Sequence, residues 1–215
     1  MSIADLRQEY LLAGLTEADA ERDPIRQFER WFQEALDAGV PLANAMTLAT
    51  VSADGAPDAR IVLLKGIESG SCVFYTNYDS RKGRQLAQRP VACLVFLWTQ
   101  LERQVRIEGV TERVSAEDSD AYFRSRPLGS RLSAWASRQS EPVPDREHLE
   151  RALAQMESRF GTEPPRPAQW GGYRLAPQAV EFWQGRENRL HDRIRYRRGV
   201  ASGGVITWAI DRLAP

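Results

Sequence analysis

The chain has 215 residues, 42% of them hydrophobic and 27% charged, and its 29 Lys+Arg balance 29 Asp+Glu to a net charge of zero. Such a composition belongs to a folded chain with a substantial core, and the neutral balance argues against a generic nucleic-acid or anionic-membrane binder. No apolar run approaches the roughly 20 residues of a membrane span, the first ten residues lack a signal-peptide layout, and Cys72 and Cys93 have no CxxC spacing, so a cytoplasmic protein without a metal knuckle or disulfide framework is expected.

Residues 3–13 read as a short amphipathic helix. Asp23-Pro24 pairs an N-cap with a first-position proline, and Ile25, Phe28, Trp31, Phe32, Ala35 and Leu36 recur at helical spacing until Gly39-Val-Pro41. Strands follow at Met46–Ser52 and Asp58–Ile67 around the hairpin signal Ala53-Asp54-Gly55, then at Ser71–Thr76 and Val91–Trp98, with a helix over Ser80–Gln88 between them. Gln104–Val114 alternates, but its apolar parity slips from Val105 and Ile107 to Val110 across Gly109, which predicts a β-bulge. Ser115–Arg124 opens with a capping box, Ser130–Ser137 reads as a short helix, and Asp145–Phe160 sets Leu149, Leu153, Met156 and Phe160 on one face ahead of Gly161. A stiff link over 162–168 leads to closing strands at Gly172–Leu175, Ala179–Gln184, Leu190–Arg197 and Val205–Arg212. Short strands in meander order with inserted helices predict an antiparallel barrel of α+β class. The absence of GxGxxG and of βαβ alternation disfavours a doubly wound nucleotide fold.

Only two of the 29 basic residues are lysines, Lys65 and Lys82. Where geometry is tight a compact ammonium and a planar guanidinium are not interchangeable, which marks both as site candidates beside the reading of two chance survivors. Arg81 and Lys82 stand in a helix first turn, where cations oppose the dipole; a bound phosphate reverses that sign. Arg60 and Lys65 are five apart, so a regular strand puts them on opposite faces, and one ligand meets both only if the strand bends or the ligand wraps its end. Tyr122 and Arg126 share a helix face and combine a hydroxyl with a guanidinium fork. If Leu190–Arg197 is a strand that extends back to Arg189, then Arg189, His191, Arg193 and Arg195 lie on one face and repel unless anions or carboxylates lie opposite. His148 reads as a surface residue. Several phosphate-type sites in a barrel with no nucleophile elbow, phosphate-binding P-loop or metal set point to a phosphorylated cofactor.

Arg60-Ile-Val-Leu-Leu-Lys65, Tyr75-Thr-Asn-Tyr78, Ser80-Arg-Lys82, Trp135-Ala-Ser-Arg-Gln-Ser140, Phe182-Trp-Gln-Gly185, Asn188-Arg-Leu-His-Asp-Arg193 and Arg212-Leu-Ala-Pro215 together resemble the pyridoxamine 5′-phosphate oxidase family over essentially the whole chain. The resemblance implies an FMN-binding split β-barrel with peripheral helices, working as a homodimer with flavin at the subunit interface. The single domain would comprise an N-terminal helical segment (1–40), a barrel core (45–114), a helical insertion (115–161) and dimerisation strands (169–215). FMN contacts are implied for Arg60, Ile61, Val62, Leu63, Leu64, Lys65, Tyr75, Thr76, Arg81, Lys82, Gln104, Gln139, Ser140, Trp183 and Arg193. Substrate contacts are implied for Lys65, Tyr122, Arg126, Ser130, Arg189, Leu190 and His191, with Arg7 and Tyr10 in a segment that folds over the substrate. Arg189 and His191 are the implied catalytic pair. The implied reaction oxidises pyridoxamine or pyridoxine 5′-phosphate with molecular oxygen, giving pyridoxal 5′-phosphate, hydrogen peroxide and, from the amine, ammonia; no nucleic acid, membrane or metal takes part. Where the family usually reads Gln-Ile-Gly after Ser130, this chain has Arg131-Leu-Ser133, so Arg131 is expected to add charge beside the phosphate site. Another split-barrel flavin or deazaflavin oxidoreductase, or a non-catalytic binder of FMN or pyridoxal phosphate, remain the alternatives.

Overall fold

The computed structural model describes residues 10, 14–201 and 203–215, so the helix expected over 3–13, and Arg7 with it, lies outside the described residues apart from Tyr10. Four helices begin where a short polar side chain can take an orphan amide. Asp23 accepts from Ile25 ahead of α1 (Pro24–Asp37), Ser80 from Gly83 ahead of α2 (Arg81–Gln88), Ser115 from Asp118 ahead of α3 (Ala116–Ser125), and Asp145 from His148 ahead of α5 (Arg146–Phe160). Between the last two, α4 (Leu128–Ala136) starts two residues earlier than expected, behind Pro127. The apolar face of α5 is only half-buried, resting on α4 through Trp135 and Phe160, whose rings are 4.9 Å apart.

Among the described residues nine strands build one antiparallel sheet: β1 (Ala45–Val51), β2 (Pro57–Leu63), β3 (Gly66–Glu68), β4 (Ser71–Asn77), β5 (Val91–Trp98), β6 (Arg103–Arg113), β7 (Trp170–Gln184), β8 (Asp192–Val200) and β9 (Ile206–Arg212). The spatial order is β2-β1-β5-β6-β7-β4-β3, with β8 on β7 and β9 on β8. The sheet curls around a core into which α1 drives Phe28 and Trp31; Phe28 lies 4.9 Å from Phe96 and Trp31 meets Phe182 edge-on at 5.2 Å.

Four expectations need correction. The strand predicted over Asp58–Ile67 breaks at Leu64-Lys65, because the Leu64 amide turns to Asn44 O (2.8 Å) and the Lys65 amide to Val73 O (2.8 Å). The two strands expected at 172–175 and 179–184 are one, β7. The bulge lies on that strand, since Glu108 pairs with Ala179 and Gly109 with Pro177, leaving Gln178 as the extra residue. A proline cannot donate to the ladder, and a bulge is where a sheet tolerates one; alternation along β6 therefore continues through buried Thr111, and Val110 faces outward. Finally, β8 starts at Asp192, after Asn188 and Arg189 adopt the left-handed region (φ 56° and 60°).

Candidate functional site

Many of the expected site residues gather in two groups, one near each end of β7. At one end β4 runs into α2. Lys82 Nζ donates to Gln139 Oε1 (2.8 Å) and Ser80 Oγ (3.3 Å), Thr76 Oγ1 donates to the same Gln139 oxygen (3.4 Å), and the Arg81 amide donates to Ser140 Oγ (3.2 Å). Arg60 enters from β2, bound to Asp58 (2.6 Å), Thr50 Oγ1 (2.6 Å) and Leu48 O (3.0 Å), while Asp58 also holds Arg81 Nε at 2.9 Å. Burial, then the charge of Arg60, pushes the Lys82 ammonium down to about 8. Burial raises Asp58, but Arg60 and Arg81 outweigh it and leave the carboxyl below its ordinary value. Three cations around one carboxylate at a capped helix N-terminus make a cradle suited to a dianion such as a phosphate.

Beside the cradle the rings of Tyr75, Tyr122 and Trp170 stack in parallel, Tyr75 3.9 Å from Tyr122 and 5.6 Å from Trp170. Gly172, opposite Tyr75 in the ladder, must lack a side chain: a Cβ there would stand 2.8 Å from the Tyr75 ring and 2.6 Å from Val114. Arg126 lies over the Trp170 face at 4.6 Å, with its Nη1 buried and without a hydrogen-bond partner. Burial lowers its pKa. A buried guanidinium nitrogen with no acceptor is costly, and a ligand anion would satisfy it.

At the other end of β7, Trp183 pairs with Gln104 in the ladder. Tyr10 meets Trp183 and His191 edge-on at 5.6 and 5.4 Å, and Trp183 lies 4.6 Å from His191. A cavity of about 280 Å³ opens here between Tyr10, Leu97, Thr99, Glu102, Gln104 and Trp183. The Arg186 amide donates to His191 Nδ1 (3.1 Å), and burial followed by the charge of Arg189 lowers the imidazole pKa. The ring is therefore neutral near pH 7 and carries its proton on Nε2. Arg189 and Leu190 are exposed on the left-handed turn. Arg193 is gripped by Glu181 (2.8 Å) and by Ala214 O (2.9 Å).

The single-face expectation for Arg189, His191, Arg193 and Arg195 is thus corrected: only the last two lie on β8, with Glu181 and Asp211 as their opposing carboxylates. Of the Arg60–Lys65 run, Arg60 joins the cradle; Val62 is half-buried, Leu64 is buried, and Ile61, Leu63 and Lys65 are exposed. Ser130 stands in the first turn of α4, its carbonyl accepting from Ser133 Oγ (3.1 Å). Arg131, expected to add charge beside Arg126, sends its guanidinium to Thr162 O (3.3 Å) and Glu163 (3.9 Å) beyond α5. Asp58 and Trp170 went unread in the sequence. Asp58 was legible as the residue two before Arg60 on the same strand face; Trp170 carried no signal beyond following the proline-rich link.

The family model described as pyridoxamine 5′-phosphate oxidase matches residues 32–184. The chain belongs to that family. Residues 170–215 match its pyridoxine 5′-phosphate oxidase C-terminal dimerisation region, so β7 to β9 support a homodimer. Relatives called pyridoxine/pyridoxamine 5′-phosphate oxidase, an oxidoreductase, are 59% identical over 213 residues in Cupriavidus pinatubonensis (99% of each chain) and 59% identical over 215 residues in Bordetella petrii (100% of each). Among solved structures, PhzG from Burkholderia lata 383 in complex with tetrahydrophenazine-1-carboxylic acid is similar at TM-score 0.87 and 30% identity, covering 97% of this chain and 100% of PhzG. An FMN-binding pyridoxamine 5′-phosphate oxidase-related protein from Nostoc punctiforme has TM-score 0.69 at 20% identity, over 89% of this chain and 98% of that one. The fold is accordingly α+β and mainly antiparallel, of the FMN-binding split-barrel type, and the family points to a flavin cofactor. Among the described residues no helix is long and apolar enough to cross a membrane.

Proposed function

We propose that the protein is an FMN-dependent oxidase that converts pyridoxamine 5′-phosphate and pyridoxine 5′-phosphate to pyridoxal 5′-phosphate in vitamin B6 metabolism. Molecular oxygen is consumed and hydrogen peroxide released, with ammonia from the amine. The observation that carries this reading is the buried Nη1 of Arg126, without a hydrogen-bond partner, beside the Tyr75–Tyr122–Trp170 stack, a pairing of cation and flat rings that suits a phosphorylated aromatic. The residues also fit FMN: Lys82 is charged against its burial and needs an anion, which Arg60, Arg81, Thr76, Gln139 and Ser140 surround. When bound, the flavin would supply the two-electron acceptor for the substrate 4′-carbon and return those electrons to oxygen.

The chain's own groups position and polarise. Arg126, with Tyr122, Ser130 and Lys65 at hand, holds the substrate phosphate. His191, neutral and with its proton on Nε2, donates to the reacting end of the ring, and Arg189 fixes that end by charge. Trp183, Gln104 and Arg193 border the flavin, and Tyr10 covers the substrate and excludes water. Tyr75 lies opposite Gly172 and Gln104 opposite Trp183, so roughly 35 Å of strand separates the two groups. A homodimer that sets one end of β7 against the other end of its partner's completes the site, with FMN at the interface.

The test is anaerobic mixing of FMN-loaded protein with pyridoxamine 5′-phosphate while flavin absorbance is followed. Bleaching that reverses on admitting air, with pyridoxal 5′-phosphate formed, is the expected result. Flavin that stays oxidised leaves a split-barrel protein with another substrate, and the PhzG ligand class is then the next to try. Failure to bind flavin overturns the reading.

A further inference from the structure

Gly14–Glu17 run beside the turn that carries His191, anchored by the buried Leu15 side chain and aimed by one guanidinium. Arg212 donates from Nε and Nη2 to the two carboxylate oxygens of Glu17 (2.8 Å each), from Nη2 also to Leu15 O (3.1 Å), and from Nη1 to Asp192 Oδ1 (2.6 Å). Asp192 completes the ring, its Oδ2 accepting the Leu15 amide at 3.0 Å. Hydrogen bonding to Arg212 holds the Glu17 carboxyl down at about 2, so the pair stays ionised across the working pH range.

The seat beneath is shaped by two glycines. A Cβ on Gly14 would stand 2.6 Å from Arg186 Nη1 and 3.3 Å from Asp192 Oδ2; one on Gly185 would stand 2.6 to 2.9 Å from Tyr10. Tyr10 thus rests on the bare backbone of Gly185, between Trp183 and His191. Glu17 and Arg212 are both more than one-third exposed, and exposed ion pairs add little stability. Four bonds from one planar fork to three residues instead fix direction.

We propose that Arg212 is a positioning residue: through Glu17 and Asp192 it clamps Gly14–Glu17 against the His191 turn and so holds Tyr10 over His191 and Trp183. The clamp rests on the reading of Tyr10 and His191 as substrate-side groups, and names what keeps them together.

The test uses FMN-loaded protein carrying Arg212→Ala, Arg212→Lys or Glu17→Gln, read by amide hydrogen exchange at residues 14–17, by KM and kcat for pyridoxamine 5′-phosphate, and by melting temperature. Arg212→Ala is expected to speed exchange at Leu15 about tenfold or more and to raise KM about fivefold, with kcat within about twofold and the melting temperature unchanged. Arg212→Lys falls between, and Glu17→Gln adds nothing further to Arg212→Ala. Wild-type exchange and KM in Arg212→Ala overturn the clamp, as does a raised KM without faster exchange. Should Arg212→Ala fail to fold, Glu17→Gln at an exposed carboxylate carries the same comparison. If the wild-type protein does not oxidise the substrate, the proposed function fails while the exchange at Leu15 still decides the clamp.

Discussion

Arg126 separates a binding role from a structural one, because its buried Nη1 has no hydrogen-bond partner. Replacing it with Met removes a half-buried charge whose Nη1 has no acceptor and keeps an apolar chain against Trp170, so the ligand-free protein should melt at about the same temperature. KM for pyridoxamine 5′-phosphate should rise by about tenfold or more through loss of the charge-assisted bonds to phosphate. A clear drop in ligand-free stability would mark Arg126 as a structural residue. Arg189 sits at φ 60°, a conformation that costs Arg and Ala alike because both carry a Cβ, so Arg189→Ala removes the guanidinium without a new backbone penalty. Arg189→Gly also relieves that backbone cost, and both variants should retain flavin while losing turnover by about a hundredfold. Normal turnover in Arg189→Gly would return the role to the turn. For Lys82 the sign follows from its depressed value: the folded chain sheds this proton near pH 8, below the ordinary lysine value of 10.5. The unfolded chain therefore binds more protons between those values, and ligand-free stability rises with pH across that window. Affinity for FMN should move the opposite way, flat below about pH 7.5 and several-fold weaker by about pH 9, and Lys82→Arg should abolish that slope. Titration of flavin fluorescence quenching against pH reads both. Lys82 was legible in the sequence as one of two lysines beside an N-cap serine; Asp58 was legible only as the residue two before Arg60 on one strand face, where a carboxylate looks like any solvated charge.

At the level of elements, caps and turns were legible because their cause is local. Asp23, Ser80, Ser115 and Asp145 each take an amide within three residues, and Gly55 takes φ 92° in the β1–β2 hairpin. The break at Leu64-Lys65 was not, because its hydrogen-bond partners, Asn44 and Val73, come from elsewhere in the chain. The same holds for β7: Pro177 reads as a strand end, and only its position opposite Gly109 turns it into a bulge inside a longer strand. Alternation placed Arg189 and His191 on a strand because it cannot register two left-handed residues just upstream. Gly83 shows what such tertiary demands require of an element. A Cβ there would lie 2.1 Å from Tyr78 O and 2.7 Å from Asn77 O, backbone atoms that cannot give way. Gly83→Ala should destabilise the protein by about 1–3 kcal/mol in urea unfolding, and should weaken FMN binding by lifting α2 from the end of β4. Unchanged flavin affinity at reduced stability would uncouple α2 from the cradle.

Across the whole molecule, the two half-sites at opposite ends of β7 make a genetic prediction. A variant disabled at Arg126 and one disabled at Arg189 should each be inactive as homodimers. Unfolded together and refolded, half their dimers are mixed, each with one intact site, so about a quarter of wild-type activity should return. No recovery on mixing would place both half-sites' partners within one protomer. The strap over His191 carries a different consequence, for the order in which the enzyme matures. Glu17 and Arg212 are 195 residues apart, and contacts of such separation form only after the intervening chain has been brought together. The cradle at α2 draws on residues 48 to 85 and on Gln139 and Ser140, 57 to 63 residues from their partners, a far shorter separation. A newly made protomer therefore completes the phosphate cradle at α2 before the strap over His191 is set, and the order of maturation runs from cradle to strap.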